Sequence, residues 1–159
     1  MYIEIKIAVQ PLVKAYLKKN YCVEPFELRQ DNQYGIFLHN CLSPVKKVLT
    51  IKRSAILDIN MEKYSDVLTL RLSERAWRRN GSFISPEKQR GFNRMVLLDL
   101  SEKLYLYVDS RTCNGDTTLT EAFLEFRKKF DLQEENLTLK SMEKKYERYR
   151  SELNTYKSA

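Results

Sequence analysis

Several residue types are scarce in this 159-residue chain, and each scarcity removes a class of function. There is one histidine, His39, which excludes metal sites built on two imidazoles. The three cysteines, Cys22, Cys41 and Cys113, are widely spaced with no CxxC pair. That argues against a disulfide framework or a zinc ribbon and for reduced thiols in a reducing compartment. The four glycines form neither GxGxxG nor GxxxxGK, so no phosphate-cradling loop is encoded. No apolar run approaches the roughly 20 residues that cross a bilayer, and MYIEIK lacks a basic stretch leading into an apolar one. The expectation is a cytoplasmic protein with no membrane partner.

Catalytic constellations are equally thin. His39 and Cys41 are two residues apart and would not face each other on a helix, so they do not form a nucleophile and base. The carboxylates are scattered among lysines, and Glu134-Glu135 reads as solvation beside a turn. The sequence therefore reads as non-enzymatic, with no cofactor, no metal and no small-molecule ligand.

Hydrophobic residues make up 43% of the chain and aromatics 11%, enough apolar side chain to offset the entropy of ordering. The length fits one domain, with room for a helical appendage. Net charge is +7, and it is unevenly spread. Residues 1–80 hold 14 basic and 8 acidic side chains, and residues 81–159 hold 14 and 13. Such an excess favours a polyanionic partner. Two blocks concentrate it. VKKVLTIKR (45–53) carries Lys46, Lys47, Lys52 and Arg53 with no acid. SERAWRRNGSFISPEKQRGFNR (73–94) carries Arg75, Arg78, Arg79, Lys88, Arg90 and Arg94 against Glu74 and Glu87.

Periodicity divides the chain into α+β and helical halves. YIEIKIAV alternates as a strand, and Pro11 opens a helix with Leu12, Val13, Tyr16 and Leu17 on one face. PFELR reads as a short strand, and QDNQYGIFLHNCL as a helix weakened by Gly35. From Val45 the alternation in VLTIKR, SAILDINM and DVLTLRLS predicts a mainly antiparallel sheet. Ser85-Pro86-Glu87 marks a helix start, with Phe92, Val96, Leu100, Leu104 and Tyr107 as its stripe to about Val108. KLYLYVD also alternates as a strand would, but helix is the reading taken. Asn114-Gly115 marks a turn. Thr118 and Glu121 then form a capping box, followed by a stripe of Leu119, Ala122, Phe123, Phe126 and Phe130. In the last helix Leu139, Met142, Tyr146, Tyr149, Leu153 and Tyr156 form a seam for packing on another helix. The expected organisation is an α+β domain over 1–112 ending in a long helix, then a helical hairpin over 117–159 packed on the same core.

The basic stretch is the strongest functional candidate. On a helix opening at Pro86, steps of 100° per residue gather Gln89, Arg90, Asn93 and Arg94 on one face. Arginine reads guanine, and asparagine or glutamine reads adenine, in the major groove. Arg75, Arg78 and Arg79 would add backbone contacts. Trp77 and Phe83 read as core anchors. Lys140, Lys144 and Arg148 form a second basic row on the last helix, but Glu143, Glu147 and Glu152 interrupt it, so a structural αα-hairpin is preferred over a helix-turn-helix.

The run VLTLRLS, a basic link, an NG turn and NRMVLL resembles ribbon-helix-helix repressors over about 40 residues, which implies DNA reading by Thr69 and Arg71. The segment between strand and second helix is too short for that family's first helix. The ending AFLEFRKKFDL and LKSMEKKYERYR, with GFNRMVLLDLSEKLYLYVD before it, is similar to small uncharacterised proteins of bacterial prophages and conjugative elements. That similarity implies a mobile-element accessory protein and transfers no named residue. The expected function is non-enzymatic binding of duplex DNA through the basic link and helix start, with self-association compatible. The alternative is an assembly module that uses the C-terminal seam and has no nucleic-acid role.

Overall fold

The computed structural model describes residues 1–21, 24–44 and 63–157. The strands expected in VLTIKR and SAILDINM, and the basic block of Lys46, Lys47, Lys52 and Arg53, lie outside the described residues. The chain divides into two compact units, Met1–Val96 and Leu97–Ala159.

The first unit contains β1 (Tyr2–Val9), α1 (Pro11–Asn20), β2 (Phe26–Glu27), α2 (Gln33–Cys41), β3 (Asp66–Ser73), α3 (Glu74–Asn80) and the opening turns of α4 (Pro86–Thr112). Its sheet has the order β1-β3-β2. β1 runs antiparallel to β3 along its whole length, and β2 runs parallel to it for two residues. The sheet is therefore mixed but mainly antiparallel, and the fold is α+β.

Register follows from the alternating pattern. Ile3, Ile5 and Ile7 pair with Leu72, Leu70 and Leu68, and the three leucines are at most 1% exposed. Burying each leucine fully contributes roughly 1.5–3 kcal/mol. A slip of one residue would turn the whole set to solvent, so the register is strongly fixed. Pro11 follows an extended Gln10 and opens α1, which buries Val13, Tyr16 and Leu17. In α2 the Asn32 side chain accepts from the Gly35 N–H at 2.8 Å. Gly35 is required there, because a Cβ would lie 2.0 Å from the Arg29 carbonyl oxygen. That close approach explains a residue whose helix propensity is about 1 kcal/mol worse than alanine. Tyr16, Tyr21, Tyr34 and Phe92 continue the core as successive edge-to-face pairs.

The second unit holds the later turns of α4, then α5 (Leu119–Lys129) and α6 (Leu139–Lys157). Residues 103–109 are helical. Leu104 and Val108, four apart, are buried, whereas Leu106, which a strand would place beside them, is 69% exposed. The expected division fell at loop 113–116; the compact units instead divide inside α4. Its first turns bring Phe92 against Tyr34 and Phe37, while later turns bring Tyr105 against Tyr146 and Tyr149 and Tyr107 against Phe126.

α5 starts in the expected capping box, Thr118 accepting from the Glu121 N–H at 3.3 Å and Glu121 accepting from the Thr118 N–H at 2.9 Å. Ala122, Phe123 and Phe126 are buried, but Leu119 is not. Arg111 donates to both carboxylate oxygens of Glu125, at 2.8 and 3.1 Å, tying α4 to α5. α5 and α6 form an αα-hairpin, with Leu132 and Leu137 buried in its link. Among the described residues, no helix is long and apolar enough to cross a membrane.

Candidate nucleic-acid interface

The helix α3 is built from local signals. The Ser73 hydroxyl caps it by accepting from the Ala76 N–H at 3.2 Å, and Glu74 sits in its first turn near the positive end of the helix dipole. It ends at Gly81, whose φ of +87° suits glycine and whose absent Cβ would lie 2.2 Å from the Ser43 carbonyl oxygen. Ser43 and Phe83 then exchange backbone hydrogen bonds of 2.9 and 3.1 Å, anchoring the link to α4.

None of the seven residues of α3 is buried. Arg75, Arg78 and Arg79 stand three and four positions apart, so they share one face, and all are exposed. With Glu74 they line an open depression of about 650 Å³ among the described residues. Arg78 donates to Glu74 at 2.5 Å, which neutralises one positive charge. Arg75 and Arg79 form no ion pair among the described residues. Trp77, expected in the core, is 37% exposed on the same short helix, and Phe83 is half-buried.

The next helix corrects the expected base-reading group. Arg90 and Arg94 are exposed as anticipated, but Asn93 is 0% exposed and Gln89 is half-buried. Both amides point inward to the end of β1. Gln89 Oε1 accepts from the Ala8 N–H at 2.8 Å, and its Nε2 donates to the Ile84 carbonyl at 2.8 Å. Asn93 Oδ1 accepts from the Gln10 N–H at 2.8 Å, while Nδ2 donates to the carbonyls of Ala8 at 3.1 Å and Gln89 at 2.8 Å. The physical reason lies in the helix itself. Stepping back from Val108, Leu104, Leu100 and Val96 by fours and threes reaches Asn93 and then Gln89, so both amides occupy the buried stripe. Of the expected group, the surface keeps two arginines.

β3 also departs from the ribbon-helix-helix pattern. It is the middle strand of a sheet within one chain, with Arg71 paired to Glu4 at 3.0 Å and the Thr69 N–H donating to Glu24 at 3.1 Å.

His39, Cys41 and Cys113 are structural or peripheral in their contacts. His39 lies between Gln30 at 3.1 Å and Asn80 at 3.2 Å, joining the ends of α2 and α3. Burial pushes the Cys41 thiol up from its ordinary value, with Lys88 opposing, while Lys88 Nζ donates to the Cys41 carbonyl at 3.0 Å. Cys113 is exposed. Among the described residues, no cluster of three or more metal-ligating side chains occurs.

The C-terminal seam is split. Met142 and Tyr146 are buried and Leu139 and Tyr149 half-buried, all within the second unit. Both oxygens of Asp109 accept tyrosine hydroxyls, from Tyr146 at 2.5 Å and Tyr149 at 3.0 Å. Tyr105 stacks on Tyr149 with ring centroids 4.3 Å apart. Tyr146 packs edge-to-face on Phe123. Leu153 and Tyr156 are exposed at 38% and 83%. The expected partner helix for most of the seam is thus supplied by α4 and α5. Lys140, Lys144 and Arg148 are exposed beside Glu147, so that face stays mixed in charge.

No family model, curated protein or solved structure matches the chain significantly.

Proposed function

We propose that the protein is a non-enzymatic DNA-binding protein that grips the phosphate backbone of duplex DNA through Arg75, Arg78 and Arg79 on α3 and Arg90 and Arg94 on α4. The observation that carries this reading is that α3 buries none of its residues and presents three arginines and a tryptophan to solvent. A seven-residue helix is too short to persist on its own propensity. It is held here by a serine cap and a glycine stop, so arginines are displayed on a fixed scaffold rather than on a loose loop.

With Gln89 and Asn93 turned inward, the side chains suited to adenine are removed from the surface. Phosphate contacts position a protein but carry no sequence information, so binding on this reading is insensitive to sequence. The alternative, an assembly module using the C-terminal seam, retains only Leu153 and Tyr156 as exposed apolar members and is the weaker reading.

Anisotropy titrations of a short duplex between about 50 and 200 mM salt test the proposal, because each neutralised phosphate adds about 0.9 to the log–log salt slope. Arg75→Ala/Arg79→Ala is expected to weaken binding and to lower the slope by about 2, equally for two unrelated sequences. An unchanged slope, or no binding at the lowest salt, refutes it.

A further inference from the structure

Among the described residues β1 is an edge strand, and its outer side is half closed. In an antiparallel pair, alternate residues direct their N–H and C=O groups to the partner and away from it. The Ala8 N–H and C=O go to Gln89 and Asn93, so the even-numbered residues of β1 face outward and the odd-numbered ones bond β3. The Met1 carbonyl agrees with this parity, accepting from the Glu74 N–H on the β3 side at 3.2 Å. The two amide side chains of α4 therefore take the place of a neighbouring strand at Ala8 and Gln10. At Tyr2, Glu4 and Lys6 the outward backbone groups have no hydrogen-bond partner among the described residues, and all three side chains are exposed.

An open edge is a template for another strand, and its charges select which one. We infer that the edge of β1 pairs with the β1 of a second copy of this chain, antiparallel and two-fold symmetric about Ile5. In that register Glu4 lies opposite the Lys6 of the other copy, and Lys6 opposite its Glu4, each pair exchanging both N–H···O=C bonds. Sliding by two residues in either direction sets Glu4 against Glu4 or Lys6 against Lys6, and directly opposed like charges destabilise a strand pair. The interface is isologous, as closed dimers require. Hydrogen-bonded pairing is confined to the two Glu4–Lys6 pairs, because Tyr2 of each copy falls opposite Ala8 of the other, whose outward N–H and C=O are held by Gln89 and Asn93. Arg71, paired with Glu4 at 3.0 Å on the inner side, extends the alternation into a row of Arg71, Glu4 and Lys6 of the second copy. The inference is independent of the nucleic-acid reading.

Sedimentation of the full chain and two charge variants decides it. Wild type is expected to show a concentration-dependent dimer. Lys6→Glu places Glu against Glu, Glu4→Lys places Lys against Lys, and each should weaken dimerisation by about tenfold or more. An equimolar mixture of the two variants should recover the dimer as a heterodimer, because one strand then carries only Glu and the other only Lys at positions 4 and 6. Lys6→Pro, which removes an outward N–H and no bond to β3, should give a monomer with an unaltered circular dichroism spectrum. A wild type that stays monomeric up to its solubility limit overturns the inference. So does a variant mixture that stays monomeric, or a Lys6→Pro protein that still dimerises.

Discussion

Replacing Asn93 tests the placement of α4 against β1 most directly. Asn93→Ala removes three hydrogen bonds made by a side chain with no solvent exposure. The Gln89 carbonyl belongs to the helical ladder, but the Gln10 N–H and the Ala8 carbonyl are left with no other partner. An unsatisfied buried backbone group costs about 1–3 kcal/mol, so the variant is expected to lose roughly 2–4 kcal/mol. Asn93→Leu restores volume but neither hydrogen bond, and should be no better. Gln89→Ala should cost less, about 1 kcal/mol, because its half-exposed site admits water. Urea unfolding followed by Trp77, the single tryptophan, reports on the first unit. With m of roughly 1–3 kcal/mol/M, the midpoint for Asn93→Ala should fall by about 1 M or more. On the proposed reading, DNA affinity per folded molecule should not change. An Asn93→Ala protein as stable as wild type but impaired in DNA binding would falsify the inward placement and return Asn93 to the interface.

Two further perturbations have definite signs. Gly81→Ala places a Cβ 2.2 Å from the Ser43 carbonyl oxygen at φ +87°, whereas at Gly115, φ +76°, nothing lies within 4 Å. Both variants bear the left-handed backbone penalty of roughly 1–2 kcal/mol, but only Gly81→Ala adds a clash. It should melt lower than Gly115→Ala and speed amide exchange selectively in α3; equal melting temperatures would refute the assigned contact. Tyr146 has its phenol pushed up to about 12, first by burial and then by its hydrogen bond to Asp109. A folded-state value above the unfolded one, about 10, means the contribution is complete below pH 10 and lost as pH rises towards 12. Ultraviolet titration should show late ionisation of Tyr105, Tyr107 and Tyr149 as well, with a further ionisation near pH 12 that belongs to Tyr146 and unfolding of α6 on that limb. Tyr146→Phe should abolish that further ionisation and the unfolding, and a variant that still loses α6 over the same window would refute the assignment.

The strand and helix elements of the described residues were largely legible in the sequence because their signals are local. Ile3, Ile5 and Ile7 alternate, Pro11 opens a helix, Thr118 and Glu121 cap one, and the apolar periods of β3 and α5 are unmixed. The exposed arginines of α3 were legible too, since no apolar stripe competes with them for a face. What failed was the reading of amides by chemical type. Gln89 and Asn93 carry the groups that recognise adenine, but the same groups recognise a backbone edge. Their place on the stripe of Val96, Leu100 and Leu104 was the available signal that they face inward.

By itself, the sequence determined that Tyr2–Val9 and Asp66–Ser73 alternate and that Pro11–Asn20, Leu119–Lys129 and Leu139–Lys157 wind, because those periods are properties of neighbouring residues. The winding of Glu74–Asn80, read as a basic link, it did not determine. Only tertiary structure decided that the tyrosine seam is covered by α4 and α5 down to Tyr149, that Trp77 is exposed, and that two amides close the end of an edge strand. Each of these depends on residues tens of positions apart meeting in space, where the nearest unpaired partner, not the residue's own preference, sets what its side chain does.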